Sequence, residues 1–153
     1  MSKKFRILLV DDEPDLVQTV IVRLEASGYE VVPAYDGQQA LILFKQSKPD
    51  LVILDLMLPR LDGYKVCRLL KFGERTRNVP VLILSARTQR EDVNLAKECG
   101  ANAYLTKPFE AKVLLEKIRE LLEATQKKDE DKNETKNEPK NEDKNNEGLA
   151  KPA

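Results

Sequence analysis

Five polar side chains in this sequence each follow a short run of apolar residues. In chain order they are Asp11, Asp12, Asp55, Ser85 and Lys107. Ionised carboxylates a few ångströms apart repel one another, so a cluster of them must share protons or bind a cation. Oxygen ligands of this kind suit Mg²⁺, which accepts a phosphate as a further ligand. A carboxylate nucleophile, a divalent cation, a lysine and a hydroxyl together have the parts needed to form and hold an acyl phosphate on Asp55.

The apolar runs that precede these residues have the composition of strands in a parallel sheet. Five runs alternate with amphipathic helical stretches, and the predicted strands are Phe5–Val10, Glu30–Ala34, Leu51–Leu54, Val79–Leu84 and Ala103–Thr106. A continuous apolar run is typical of a strand that is covered on both faces. Right-handed crossovers place helices on both faces of such a sheet. Pro33 weakens the second strand and favours an edge position for it, because proline donates no ladder hydrogen bond.

The predicted fold class is therefore α/β, a doubly wound five-stranded parallel sheet of flavodoxin-like order 2-1-3-4-5, with helices on both faces. In that order the first and third strands are neighbours, so Asp11, Asp12 and Asp55 are brought together. Ligand sites in these sheets lie beyond the carboxyl ends of the strands, where the strand order reverses. The five polar residues are expected to share that edge.

Missing residue types exclude several classes of site. The chain has no histidine, which excludes Ser-His-Asp and Cys-His catalysis, histidine-ligated metals and a phosphohistidine on this chain. Its two cysteines, Cys67 and Cys99, are too few for a disulfide scaffold and are predicted to be packed thiols in a reducing compartment. No apolar run is long enough to span a membrane, and no signal peptide is evident, so a cytoplasmic location without membrane contact is expected.

The chain divides by composition into residues 1–124 and 125–153. The second segment holds 15 charged side chains and only three apolar ones, in a repeat built on Lys-Asn-Glu. It cannot bury enough apolar surface to offset its ordering entropy, so it is predicted to be a disordered tail. The first segment holds 19 basic and 18 acidic side chains. This balance predicts no electrostatic footprint for nucleic acid, and no direct nucleic-acid partner is expected.

The chain contains four motifs: Leu8-Leu9-Val10-Asp11-Asp12-Glu13, Leu54-Asp55-Leu56-Met57-Leu58-Pro59 with Asp62-Gly63, Leu84-Ser85-Ala86, and Tyr104-Leu105-Thr106-Lys107-Pro108-Phe109. Together these motifs closely resemble one known family, the receiver domain of bacterial two-component response regulators. They occur in the family's order and spacing, and the likeness covers about residues 4–123. The resemblance therefore implies a stand-alone receiver domain over residues 1–124.

The resemblance also implies a role for each matching residue. Asp55 is the expected phosphoacceptor. Asp12 and Asp55 would ligate Mg²⁺ directly, together with the backbone carbonyl of Met57, while Asp11 would act through water. Ser85 and Lys107 would hold the phosphoryl group, and Tyr104 would swing inward together with Ser85. The Lys107–Pro108 peptide bond would be cis.

Two modes of action fit such a domain. The first is a phosphoprotein that accepts a phosphoryl group from a histidine kinase and switches contacts with a downstream protein through helix 4, strand 5 and helix 5. The alternative is a phosphorelay shuttle, which passes the group on to a histidine phosphotransfer protein. Neither makes the chain an enzyme beyond Mg²⁺-dependent catalysis of its own phosphorylation and dephosphorylation. A monomer or weak dimer is expected, since Asn102 and Ala103 stand where regulators that dimerise through this face commonly have two acids.

Two further hypotheses agree less well with the sequence. A phosphatase of the haloacid dehalogenase type would need a second acid two residues after the nucleophile, where this sequence has Met57. A degenerate receiver that binds without phosphate is disfavoured by the complete set of five polar residues. Met57, which is apolar, and Arg87 are expected to flank the phosphoryl group. Since Met57 offers an attacking water no hydrogen bond, the acyl phosphate should be long-lived.

Overall fold

The computed structural model describes residues 4–59, 61–74, 76–86 and 90–128. Five strands occupy Arg6–Val10 (β1), Glu30–Ala34 (β2), Leu51–Asp55 (β3), Val81–Ser85 (β4) and Ala103–Thr106 (β5). All paired strands are parallel, and their order is β2-β1-β3-β4-β5. The predicted fold class and strand order are confirmed.

Helices follow the strands. They occupy Pro14–Ala26 (α1), Gly37–Ser47 (α2), Gly63–Lys71 (α3), Arg90–Glu98 (α4) and residues 111–128 (α5). Residues up to Leu122 form one compact unit, and the site lies within it. Residues 125–128, the start of the predicted disordered tail, are helical, whereas 129–153 lie outside the described residues. Within the described part, no helix combines the length and apolar character needed to cross a membrane.

The alternation of side chains along each strand builds one apolar core on each face of the sheet. In β1, Ile7 and Leu9 face the core formed with α1 and α5, while Leu8 and Val10 face the core formed with α2, α3 and α4. Every residue of β3 and β4 is buried, which explains why their sequences read as continuous apolar runs. Cys67 and Cys99 are both buried and free, as predicted for packed thiols.

Two prolines set limits on the sheet. Pro33 lies in β2, which is an edge strand as predicted. The strand predicted over Val79–Leu84 begins only at Val81, because Pro80 has no N–H to donate to a neighbouring strand. Its other end extends one residue further than predicted, since Ser85 is the last residue of β4 and pairs in register with Thr106. β3 also extends one residue further than predicted, because Asp55 is its last residue.

Candidate functional site

The neighbouring strands β1 and β3 end side by side and bring two carboxylates together. Val10 and Leu54 are paired in register, so Asp11 follows β1 where Asp55 completes β3. Both carboxylates are buried: Asp11 is 1% exposed and Asp55 is 5% exposed. Two buried acids in adjacent positions need a compensating positive charge.

Lys107, which directly follows β5 at the same edge of the sheet, supplies that charge. Its ammonium donates hydrogen bonds to Asp11 Oδ2 over 2.7 Å and to Asp55 Oδ2 over 3.1 Å. Glu13 Oε1 lies 3.8 Å from the same nitrogen. The backbone N–H of Lys107 donates to the carbonyl oxygen of Ser85 over 2.9 Å, which fixes the lysine against the end of β4. The peptide bond from Lys107 to Pro108 is cis, as the resemblance implied.

The pKa values of the Asp55 carboxyl group and of the Lys107 ammonium reflect this pairing. Burial raises the pKa of Asp55 above its ordinary value, and the hydrogen bonds from the Met57 N–H and from Lys107 offset only part of that effect. Burial lowers the pKa of Lys107, but the hydrogen bonds and charges of Asp11 and Asp55 outweigh it and raise the pKa overall. Lys107 is therefore firmly protonated. The neighbouring Asp55 carboxyl group is buried and would be costly to ionise without this positive charge.

The loop between β3 and α3 holds Asp55 in place. The backbone N–H of Met57 donates to Asp55 Oδ1 over 3.0 Å, and the N–H of Gly63 donates to the carbonyl of Leu56 over 3.2 Å. Asp62 caps α3 by accepting from the Tyr64 N–H over 2.7 Å. A Cβ atom at Gly63 would lie 2.4 Å from the carbonyl oxygen of Asp55, so only glycine allows this close approach.

Four carboxylates of the described part of the chain meet at this edge of the sheet. Asp11, Asp12, Glu13 and Asp55 each offer an oxygen, and these oxygens lie within 4.8 Å of one another. Such a set of hard oxygen donors fits a divalent cation such as Mg²⁺. Glu13 was not among the site residues predicted from the sequence. Its position directly after two aspartates was the available signal.

The remaining predicted site residues take different positions. Ser85 is fully buried at the end of β4, and Asp12 is exposed. Tyr104 is half-buried in β5, where it packs against the core of the α2–α4 face. The Met57 side chain is 54% exposed beside Asp55. Arg87, expected to flank the phosphoryl group, lies outside the described residues.

Comparison with known proteins identifies the family to which this fold belongs. Residues 7–119 match the response regulator receiver domain family. The chain belongs to that family. The sequence-based identification of a receiver domain, and with it a place in two-component signalling, is confirmed.

Solved structures of receiver domains are similar over most of the chain. The CheY-like response regulator receiver domain protein from Methanospirillum hungatei has a TM-score of 0.78 at 27% identity, covering 82% of this chain and 99% of that one. The receiver domain of a signal transduction histidine kinase from Syntrophus aciditrophicus has a TM-score of 0.74 at 34% identity, covering 78% and 91%.

Curated relatives are longer proteins. The DNA-binding dual master transcriptional regulator RpaA of Synechocystis sp. is 44% identical over 122 residues, which cover 80% of this chain and 51% of that protein. The alkaline phosphatase synthesis transcriptional regulatory protein PhoP of Bacillus subtilis is 40% identical over 126 residues, covering 82% and 51%. The chain thus spans about half the length of these relatives.

One sequence-based expectation about partners is wrong. We expected no direct nucleic-acid partner, yet the relatives RpaA and MtrA, the latter from Mycolicibacterium smegmatis, are described as DNA-binding regulators. The expectation rested on the balanced charge of residues 1–124. That balance describes the receiver domain alone, and the matched relatives each contain about as many residues again.

Proposed function

We propose that Asp55 accepts a phosphoryl group from a histidine kinase, and that Ser85 and Lys107 then bind the phosphoryl oxygens. The observation that supports this most directly is the contact of the Lys107 ammonium with Asp55 Oδ2, at 3.1 Å. A lysine that already touches the acceptor carboxylate is placed to neutralise the negative charge that phosphorylation adds. The chain catalyses only this reaction on itself and the hydrolysis that releases the phosphoryl group from Asp55 as inorganic phosphate.

The transfer uses the chain's own groups in a simple displacement. An oxygen of the Asp55 carboxylate attacks the phosphorus of the donor, and the bond between phosphorus and the leaving nitrogen or oxygen breaks. With acetyl phosphate as the donor, acetate leaves with the bonding electron pair, and the charge on both sides is equal. The Met57 N–H stays on the other carboxylate oxygen and fixes the orientation of the attacking one.

Mg²⁺ is the proposed cofactor, with Asp12, Asp55 and the backbone carbonyl of Met57 as direct ligands and Asp11 acting through water. The fit rests on the oxygen donors described above, whose spacing within 4.8 Å suits one small cation. When bound, the ion would neutralise negative charge on the oxygens of the phosphoryl group. Of the aspartates, Asp12 is the exposed one and so is open to an ion entering from solvent.

The output is a change of protein contacts at the face formed by α4, β5 and α5. The proposed link from the acceptor to that face runs through Ser85 at the end of β4 and Tyr104 in the neighbouring β5, since these strands are paired with Ile83 opposite Tyr104 and Ser85 opposite Thr106. Attraction of the Ser85 hydroxyl by a phosphoryl group would vacate space into which the half-buried Tyr104 ring can turn. A histidine kinase is the donor partner, and the downstream partner is a protein that prefers the phosphorylated form.

The experiment is intact-mass spectrometry after incubation with acetyl phosphate and Mg²⁺. A single phosphoryl adduct is expected, and it should be lost in Asp55→Asn and in the presence of EDTA. Asp50→Asn is a matched control at an acid that lies beside Arg6, outside the proposed site, and it should retain the adduct. A folded protein that takes no adduct would overturn the proposal.

A phosphorelay shuttle would use the same site, so a second experiment is needed to distinguish it from a switch. The phosphorylated protein is purified and mixed with candidate partners. Movement of the label from Asp55 to a histidine of a phosphotransfer protein would identify a shuttle. Retention of the label, with tighter binding of a partner, would identify a switch.

A further inference from the structure

Glu13 stands at the start of α1 but does not serve that helix as a cap. Its side chain makes no capping hydrogen bond. The carboxylate is 65% exposed and lies 3.8 Å from the Lys107 ammonium. Its own backbone N–H donates to Asp11 Oδ1 over 3.0 Å, which holds the first residues of the helix beside the buried acid. The side chain is thus available for Lys107 rather than for the end of the helix.

Among the residues that the structure describes, three carboxylates lie within 4.0 Å of the Lys107 ammonium, and they differ in burial. Two belong to Asp11 and Asp55, which are buried, and the third belongs to the exposed Glu13. A divalent cation bound to the aspartates would repel the ammonium and compete with it for the same oxygens. Of the three, Glu13 is the carboxylate that an ammonium displaced from the aspartates can still reach.

We infer that Glu13 is the counter-ion that keeps Lys107 at the mouth of the site when a divalent cation binds to the aspartates. It is a positioning residue, which acts through Lys107 and not on the reacting atoms. The inference rests on the proposed function insofar as a divalent cation binds there. Because Glu13 is exposed, the pair forms at a small desolvation cost and its contribution is correspondingly modest.

A double-mutant cycle on cation affinity separates this role from direct ligation. The variants are Glu13→Gln, Lys107→Met and the two combined, and the probe is Mn²⁺, titrated by the paramagnetic resonance of the free ion. Asp15→Asn is the matched control, since it removes the same charge from the exposed first turn of the same helix. Circular dichroism and urea unfolding verify that each variant is folded.

With Lys107 present, Glu13→Gln should weaken Mn²⁺ binding about two- to fivefold more than Asp15→Asn does, the range of an exposed ion pair. With Lys107→Met, the two substitutions should have equal effects. Equal effects with Lys107 present would overturn the inference. A larger effect of Glu13→Gln that persists in Lys107→Met would also overturn it and make Glu13 a direct ligand.

The cycle also keeps this inference distinct from the proposed function. A wild-type protein that binds Mn²⁺ but takes no phosphoryl group from acetyl phosphate would contradict the proposed function, and the cycle would still decide the role of Glu13. A folded wild-type protein that binds no Mn²⁺ would overturn both.

Discussion

The backbone N–H of Lys107 donates a hydrogen bond to the carbonyl oxygen of Ser85 over 2.9 Å. The two residues proposed to hold a phosphoryl group are therefore joined through their main chains at the ends of neighbouring strands. Ser85 ends β4 and Lys107 directly follows β5, so any shift between these strands changes both contacts at once. In the proposed function, this coupling is the route by which phosphorylation of Asp55 would act on β5.

Lys107→Met should destabilise the cation-free protein by about 3 kcal/mol, because it leaves the buried carboxylates of Asp11 and Asp55 without their counter-charge. Urea unfolding in EDTA measures the change. Saturating Mg²⁺ should recover part of the lost stability, since a bound cation replaces the missing charge. A loss below about 0.5 kcal/mol, the scale of a surface ion pair, would contradict the prediction.

Gly63→Ala should slow phosphorylation of Asp55 and lower stability by about 1–3 kcal/mol, the usual cost of overpacking. The added methyl group would lie 2.4 Å from the Asp55 carbonyl oxygen, so the acceptor must move. Adduct formation with acetyl phosphate, followed by intact mass, measures the rate. Gly28→Ala is the control, because its methyl group meets nothing within 4 Å and strains only a φ of +93°. That variant should lose stability while keeping the wild-type rate.

Met57→Asn should speed hydrolysis of the acyl phosphate, because an amide beside Asp55 can hold the attacking water whereas the exposed thioether side chain cannot. The backbone N–H that contacts Asp55 remains in the variant. Decay of the phosphoryl adduct after removal of donor measures the rate. Met57→Leu is the apolar control and should decay like the wild type. Equal decay of the asparagine and leucine variants would contradict the prediction.

Lys48→Gly should stabilise the protein by about 0.5–1 kcal/mol. Lys48 ends α2 with a φ of 49° and ψ of 65°, a left-handed conformation that glycine adopts without strain. Urea unfolding gives the difference. Lys48→Ala removes the same side chain but keeps the strain, so stabilisation by alanine equal to that by glycine would argue against this cause.

The stability of the fold should decline with pH from about 9 upward because of Cys67. Burial raises the pKa of this thiol from 9.0 to about 12. The folded state thus binds the thiol proton more tightly than the unfolded state does. The contribution of this thiol to the free energy of unfolding is fully present below pH 9 and is lost as pH rises toward 12. The slope is about 1.4 kcal/mol per pH unit in that window. Cys67→Ala should show a shallower decline in urea titrations between pH 8 and 11, and equal slopes would refute the assignment.

The sequence was sufficient to predict the parts of this structure that depend on local pattern. Continuous apolar runs predicted the positions of the strands, and Pro33 predicted that β2 lies at the edge of the sheet. The start of the fourth strand was placed before Pro80 because the apolar pattern continues through that proline. The contacts of Lys107 could not be predicted individually, since its choice among Asp11, Asp55 and Glu13 depends on the path of the backbone after β5. Glu13 was missed because an acid at a helix start has a common structural explanation.

Pro33 also has a consequence for the open side of β2. Glu30 donates to the carbonyl of Phe5, and the carbonyl of Ala34 accepts from Asp11, so these residues turn their main chains toward β1. Alternation along the strand then turns Val31 and Pro33 outward, where Pro33 presents no N–H. An additional strand from another molecule would find an interrupted row of donors there. The residue that weakens β2 thus protects the exposed sheet margin against edge-to-edge aggregation.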